Sequence, residues 1–332
     1  MKYLVTGAAG FIGANIAQKL LDSGHQVTTI DNLSTGHESC IPKHCLFIKG
    51  DASDATSIDQ LNYEKFDAIL HIAGQSSGEV SFESPIYDIN SNAVSTLRLL
   101  DYAVKTGCKR FIYASTMSVY GQQSNKEQCS EEDVVKPKSF YAVGKLASEQ
   151  YLRIYKEQYG IDYTALRYFN VYGKGQNFSN LKQGIISIYL KQFIDDDFKI
   201  VEIKGSLNRF RDLSHIDDVT KVSIEAIDNP KFYNEIINIG TGEKTTVKTM
   251  LDLIRHYLNS DKEVLGIMKY IRMARVKEYY SDGSMYYGNK RGDYKEGYGV
   301  LTYAGNSDIK IYKGYWDDGV KSGKGVQIWN NN

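Results

Sequence analysis

The chain has 332 residues, enough for two domains or for one large domain with an appendage. Its 40 Lys and Arg balance 40 Asp and Glu, which excludes binding of nucleic acid or electrostatic attachment to a membrane as the main role and favours a small ligand. The four cysteines, Cys40, Cys45, Cys108 and Cys129, have no metal-site spacing, and no apolar run nears the roughly 20 residues that span a bilayer; a cytoplasmic protein without a metal is expected.

Residues 2 to 6 read as a buried strand, followed by Gly7-Ala8-Ala9-Gly10-Phe11-Ile12-Gly13 and an amphipathic helix through Leu21. Glycines in such a turn let backbone N–H groups approach a pyrophosphate, whose charge the helix N-terminus favours. The next strand, Gln26 to Ile30, ends in Asp31. A carboxylate there accepts hydrogen bonds from an adenine-ribose 2′-hydroxyl and repels a 2′-phosphate, so NAD is expected rather than NADP. Strand and helix patterns keep alternating: Leu46 to Lys49 before Gly50-Asp51, Ala68 to His71 before Ala73-Gly74, a helix from about Asn92 to Thr106, then Arg110 to Ala114. This predicts an α/β fold with a doubly wound parallel Rossmann sheet. Gly7, Asp31, Asp51, Gly74, Ser115 and Thr116 all fall at the carboxyl ends of its strands, where such sheets bind ligands. In the following helix, Tyr141-Ala142-Val143-Gly144-Lys145 puts a phenol and an ammonium on one face. A neighbouring cation favours the phenolate, so Tyr141 is expected to have a lowered pKa and to shuttle a proton.

In this order, Gly-Ala-Ala-Gly-Phe-Ile-Gly at 7 to 13, Asp31-Asn32-Leu33, Gly50-Asp51, His71-Ile72-Ala73-Gly74, Ser115-Thr116 before Val119-Tyr120-Gly121, and Tyr141-x-x-x-Lys145 resemble the extended short-chain dehydrogenases/reductases. Within that superfamily the chain looks like an NAD-dependent nucleotide-sugar epimerase, of the kind acting on UDP-glucose and UDP-galactose, over about residues 1 to 262. The resemblance implies that Gly7, Gly10 and Gly13, with Phe11 and Ile12, hold the pyrophosphate. Asp31 and Asn32 would take the adenosine ribose, Asp51 and Ala52 the adenine. Ala73, Gly74, Asn92 and Tyr168 would lie along the cofactor, and Lys145 would bind the nicotinamide ribose. Thr116, with Ser115 as the adjacent alternative, would partner Tyr141 at the sugar hydroxyl. Ser76, Ser77, Thr116, Asn170 and Arg211 would contact substrate, Asn170 and Arg211 at the diphosphate. Met117 and Ser118 stand where related 4,6-dehydratases carry an acid and a base, so epimerisation is expected over dehydration.

The implied domains are a Rossmann domain over 1–165 and a substrate lobe mainly over 166–262. A bridge over 263–280 follows, with Ile267, Met268, Tyr270, Ile271 and Met273 among basic residues, readable as an amphipathic helix that packs on the sheet or lies on a membrane. In 281–332, Tyr286-Tyr287-Gly288 leads to Gly297-Tyr298-Gly299, and Tyr312-Lys313-Gly314 leads to Gly323-Lys324-Gly325 at the same interval. Such self-similarity marks a repeat array and resembles MORN repeats, β-hairpins with glycine turns at Asp282-Gly283 and Asp318-Gly319. The closing phosphate-binding segment of the epimerases is not found; Arg291-Gly292-Asp293 only superficially resembles it.

Two functions are therefore open. The first is an active 4-epimerase, with helices near 92–106 and 139–159 pairing in a homodimer. The second is a catalytically impaired Rossmann scaffold, a fusion or truncated product, whose tail contacts a protein or lipid.

Overall fold

The computed structural model describes residues 1–121, 128–267, 276–291, 294–304, 308–317 and 319–329. In chain order the elements begin β1 (Lys2–Thr6), α1 (Phe11–Asp22), β2 (Gln26–Asp31), β3 (Leu46–Lys49), α2 (Ala55–Asp59) and β4 (Ala68–His71). Next come α3 (Gly78–Glu83), α4 (Pro85–Ile89), α5 (Ser95–Thr106), β5 (Arg110–Thr116), α6 (Phe140–Tyr159), β6 (Asp162–Tyr168) and β7 (Asn170–Tyr172). Then follow α7 (Ile185–Ile194), β8 (Ile200–Lys204), β9 (Phe210–Arg211), β10 (Leu213–His215), α8 (Ile216–Asp228), β11 (Glu235–Ile239), β12 (Thr245–Thr246), α9 (Val247–Leu258) and β13 (Glu263–Ile267).

Seven strands form one parallel sheet in the order β11-β6-β5-β4-β1-β2-β3. The chain winds outward from β1 to β3, returns to β4 on the other side of β1, and winds the opposite way. The order thus reverses between β1 and β4, which opens a crevice outside their carboxyl ends. Helices cover both faces, and this is why the central strands are continuous apolar runs. On one face Leu99, Leu100 and Ala103 of α5 and Leu152 of α6 pack with Leu4, Ile69 and Phe111. On the other, Ile16 and Leu20 of α1 and Val219 and Ala226 of α8 pack with Val5, Leu70 and Ile112.

Two local departures from expectation shape the site. A π turn over Asn90–Val94 leads into α5, so the helix expected from Asn92 begins in π geometry, with Asn92 buried in that turn. Strand β5 runs on to Thr116, so Ser115 and Thr116 are the last alternating pair of a strand and face opposite ways. At α6, Ser139 accepts from the Ala142 amide at 3.2 Å, fixing the start of the helix and the direction in which Tyr141 faces.

The chain divides into two compact units, Met1–Glu202 with Ser206–Leu265, and Ile203–Gly205 with Gly266–Asn332. Most of residues 166 to 262 therefore lies in the same unit as the Rossmann sheet, and β11 returns to that sheet's edge.

In the second unit, β14 (Val276–Tyr279), β15 (Met285–Arg291), β16 (Tyr294–Thr302), β17 (Ile309–Asp317) and β18 (Val320–Trp329) form an antiparallel meander. The helix expected over 264–280 is corrected at both ends, which are the strands β13 and β14; Met268, Tyr270, Ile271 and Met273 lie outside the described residues. Val276–Tyr279 pairs antiparallel along β15, from Val276 opposite Gly288 to Tyr279 opposite Met285, and the valine and tyrosine at its ends suit a pleated surface. Asp282-Gly283 is the turn before β15, with Asp282 accepting from the Ser284 amide at 2.8 Å; Asp318, Gly292 and Asp293 lie outside the described residues.

Across this sheet Gly288, Gly299, Gly314 and Gly325 stand in register on successive strands. The Tyr286 ring lies over Gly288 and Gly299, and the Tyr312 ring over Gly314 and Gly325, where a Cβ would collide with each phenol. Trp316 meets both rings edge-on, with centroids at 5.8 and 5.1 Å. Gly299→Ala is expected to cost about 1–3 kcal/mol by overpacking. Hydrogen exchange checks this: amides of β15 and β16 should exchange faster while those of β1 to β6 keep their protection.

Candidate active site

The site begins where β1 stops. Gly7 turns with φ of +78°, and a Cβ there would stand 2.8 Å from the Ala73 nitrogen, so the ends of β1 and β4 touch. Gly13 lies against the Gly7 carbonyl, again without room for a Cβ. Gly10 begins α1 with no side chain capping it, and Phe11 and Ile12 are half-buried in the first turn. Thr6 Oγ1 accepts from the Ile72 and Ala73 amides at 3.1 and 3.0 Å and turns its own proton to His71 Nδ1 at 2.8 Å. His71 Nε2 then donates to Ser95 Oγ at 3.1 Å. Burial, and next the charge of Lys145, hold His71 well below the usual imidazole range, so it stays neutral.

At the end of β2, the Asp31 carboxylate accepts from Ala9 N at 3.0 Å and Leu33 N at 2.8 Å, tying the glycine turn to that strand. Asn32 donates to Asp51 Oδ2 at 2.9 Å, and Ser53 fills Asp51 Oδ1. Burial pushes Asp51 up, but the bonds from Ser53 and Asn32 prevail and its pKa falls below the usual carboxylate value. Ala52 is buried beside it.

Tyr141 and Lys145 face inward from α6, 8% and 3% exposed. Lys145 Nζ donates to the Ala114 carbonyl at 2.9 Å and lies 4.9 Å from the centre of the Tyr113 ring. Burial lowers Lys145 to about 8 against the upward pull of Asp88 and Glu149. Tyr141 is pushed up to about 12, first by burial, with a Thr116 hydrogen bond opposing and the Asp88 charge adding. The expected lowering of Tyr141 is thus corrected, because removal from water outweighs the Thr116 hydrogen bond. Thr116 Oγ1 accepts from the Ser118 amide and donates to Ser118 Oγ, both at 3.2 Å. Ser115, on the other side of the strand, donates to Glu149 Oε1 at 2.5 Å.

Two participants, Gln75 and Asp88, had not been singled out in the sequence. Asn92 Nδ2 donates to the Gln75 carbonyl at 3.1 Å and to Asp88 Oδ1 at 3.2 Å, while Asn92 Oδ1 is buried with no partner. A Cβ on the exposed Gly74 would stand 2.5 Å from that oxygen and 3.1 Å from Lys145 Nζ, so acceptor and cation converge on one point. Burial raises Asp88 above the usual carboxylate range despite Gln75, Lys145 and Asn92. Asp88 stands four residues before Asn92, the same spacing that links Tyr141 and Lys145.

The Lys145 shift has a measurable sign. From about pH 8 to 10.5 the unfolded chain holds a proton at Lys145 that the folded chain has released, so this group adds stability as pH rises through that window. Relative to Lys145→Met, wild type should gain on the order of 3 kcal/mol across the window, read from denaturant melts at the two ends.

The expected substrate residues are dispersed. Asn170 Nδ2 donates to the Asp212 carbonyl at 2.8 Å and lies 3.6 Å from Met117 Sδ, next to Thr116. Asp212 takes the Thr241 and Gly242 amides at 2.9 and 2.8 Å, anchoring that loop. Arg211 is half-buried and has no carboxylate partner among the described residues. Burial, and then Arg209, lower its pKa, while Tyr189 opposes. Ser77 caps α3 and Ser76 is exposed. Tyr168 is held in the core by Ser223 at 2.8 Å, which aims its hydroxyl at α8.

Over residues 3–240 the sequence matches the model of the NAD dependent epimerase/dehydratase family. The chain belongs to that family. A UDP-glucose 4-epimerase of Mycolicibacterium smegmatis is 33% identical over 256 residues, covering 75% of this chain and 80% of the relative. The crystal structure of a UDP-glucose 4-epimerase with UDP-glucose from Thermotoga maritima superposes with a TM-score of 0.76 at 32% identity, over 80% of this chain and 85% of that one. A Thermus thermophilus UDP-glucose 4-epimerase in complex with NAD gives 0.74 at 32% identity, over 80% and 86%. This epimerase-family chain is thus an α/β Rossmann protein of the extended short-chain type with NAD as its cofactor. The five-stranded sheet lies beyond the matched residues.

Proposed function

We propose that the chain is a nucleotide-sugar 4-epimerase acting on a UDP-hexose through a transient 4-keto sugar. The observation that carries this reading is the placement of Tyr141, bonded to Thr116, and Lys145 one turn further along the inner face of α6, with Lys145 Nζ beside Gly74 where the ends of β1 and β4 touch. The cradle fits NAD: Gly7 and Gly13 let the turn close on Ala73 and on itself, Gly10 leaves the uncapped start of α1 open for the pyrophosphate, and Asp31 and Asn32 stand for the ribose. Asp51 and Ala52 stand for the adenine. The unpartnered Asn92 Oδ1 and Lys145 Nζ stand for the nicotinamide ribose. Bound NAD supplies the hydride acceptor and donor for sugar C4. Tyr141 takes the proton of the 4-hydroxyl and returns it, while Thr116 holds the same oxygen. Asn170 and Arg211 receive the diphosphate, for which the planar guanidinium is suited. Met117 and Ser118 offer no carboxylate for eliminating water across C5 and C6.

Full-length protein given UDP-glucose or UDP-galactose is expected to interconvert them. A 4-keto-6-deoxy product would refute epimerisation; bound NAD without turnover would favour the impaired scaffold. Exposed Phe82, Ile86, Phe140 and Val143 on α3, α4 and α6 support a homodimer, which sedimentation checks. Exposed Tyr287, Tyr298, Tyr315 and Val326 support a contact role for the MORN-like tail. Vesicle co-sedimentation of the full chain tests the lipid version.

A further inference from the structure

Beneath the reacting groups lies a polar cluster to which the proposed chemistry assigns no part. Tyr141, Lys145 and Glu149 follow one another at four-residue steps on the inner face of α6. Both Glu149 oxygens are taken: Arg167 Nε donates to Oε1 at 2.9 Å and Nη2 to Oε2 at 2.8 Å, while Ser115 also donates to Oε1. Arg167 Nη1 donates to Tyr120 Oη at 2.8 Å, and Tyr120 passes its proton to Asn238 Oδ1 at 2.7 Å. The cluster therefore pins α6 to the last residues of β5 and β6, to the turn Met117–Tyr120 and to β11.

A buried ion pair is poor evidence of a purely stabilising role, since two apolar side chains of similar volume often serve as well or better. Its placement here is specific. Ser115 and Thr116 are consecutive residues at the end of one strand and face opposite ways. Whatever anchors Ser115 to α6 also sets the height at which Thr116 meets Tyr141, itself on α6.

We propose that Glu149, held by Arg167 and grasping Ser115, is a positioning residue that sets Thr116 against Tyr141 for proton transfer. This rests on the acid/base reading of Tyr141. Ser115 then acts through Glu149 rather than as a second hydroxyl at the substrate.

The test compares Ser115→Ala, the double variant Glu149→Met/Arg167→Met, and Tyr141→Phe, each as NAD-loaded full chain. Melting temperature, bound NAD, kcat and KM are measured for each. Ser115→Ala keeps the ion pair and should melt close to wild type with unchanged KM and bound NAD, while kcat drops about 10- to 100-fold. The double variant, where it folds, should combine a wild-type or higher melting temperature with the same loss of kcat. Wild-type kcat in Ser115→Ala overturns the proposal whether or not the double variant folds. A loss in KM or bound NAD alone also overturns it. Tyr141→Phe separates the two failures: if it stays active, the acid/base reading has failed. If it is dead while Ser115→Ala turns over normally, only the positioning role has failed.

Discussion

Tyr141→Phe should lower turnover by about 100- to 10,000-fold, the range for removing a positioned acid/base group, while KM and bound NAD stay near wild type. The ring keeps its packing, since Tyr141 is already 8% exposed. What disappears is the hydroxyl shared with Thr116. Losing that bond costs only about 1 kcal/mol of stability, so a loss of activity cannot be blamed on unfolding. Steady-state rates with UDP-galactose, beside a thermal melt, decide the matter; a Phe variant with more than a tenth of wild-type turnover removes Tyr141 from the chemistry.

Glu149→Ala should be the most damaging single substitution for stability, costing about 3–5 kcal/mol. It strips the carboxylate from Arg167, whose side chain is 4% exposed, and leaves the guanidinium charged and out of water. The exposed pair Lys182–Glu83 is the control: its side chains are 49% and 60% exposed, so Glu83→Ala should cost at most about 1 kcal/mol. Urea melts of both variants measure the contrast. Equal losses would show that burial of the Arg167 pair carries no special weight.

The sheet was readable from sequence because each central strand ends in a residue with its own reason to be there: Gly7 after β1, Asp31 at the end of β2, Gly74 beyond β4. The glycine and aromatic spacing of the tail likewise exposed its hairpins, since Tyr286 and Tyr312 can lie flat only over residues without a Cβ. Other features needed three dimensions. A four-residue spacing places Lys145 beside Tyr141 but says nothing of burial, and burial decides the direction of the Tyr141 shift. Thr116 was preferred to Ser115 on resemblance alone, and the different surroundings of the two hydroxyls became visible only once β5 was found to continue through both. Asp88 was overlooked although it precedes Asn92 by one helical turn, because a lone carboxylate on a helix usually faces solvent. Residues 263–267 and 276–279, Glu-Val-Leu-Gly-Ile and Val-Lys-Glu-Tyr, are too short for their mix of charged and apolar side chains to favour either period, and strand pairing settled it.

Asp31 has one carboxylate and, on the proposed reading, two jobs. Its oxygens take the Ala9 and Leu33 amides, so the group proposed to read the ribose also braces the loop proposed for the pyrophosphate. Cofactor preference and loop geometry are thus not independent variables for evolution or for an engineer. A route towards NADP has to supply a new acceptor for the Ala9 amide before it can give up the charge.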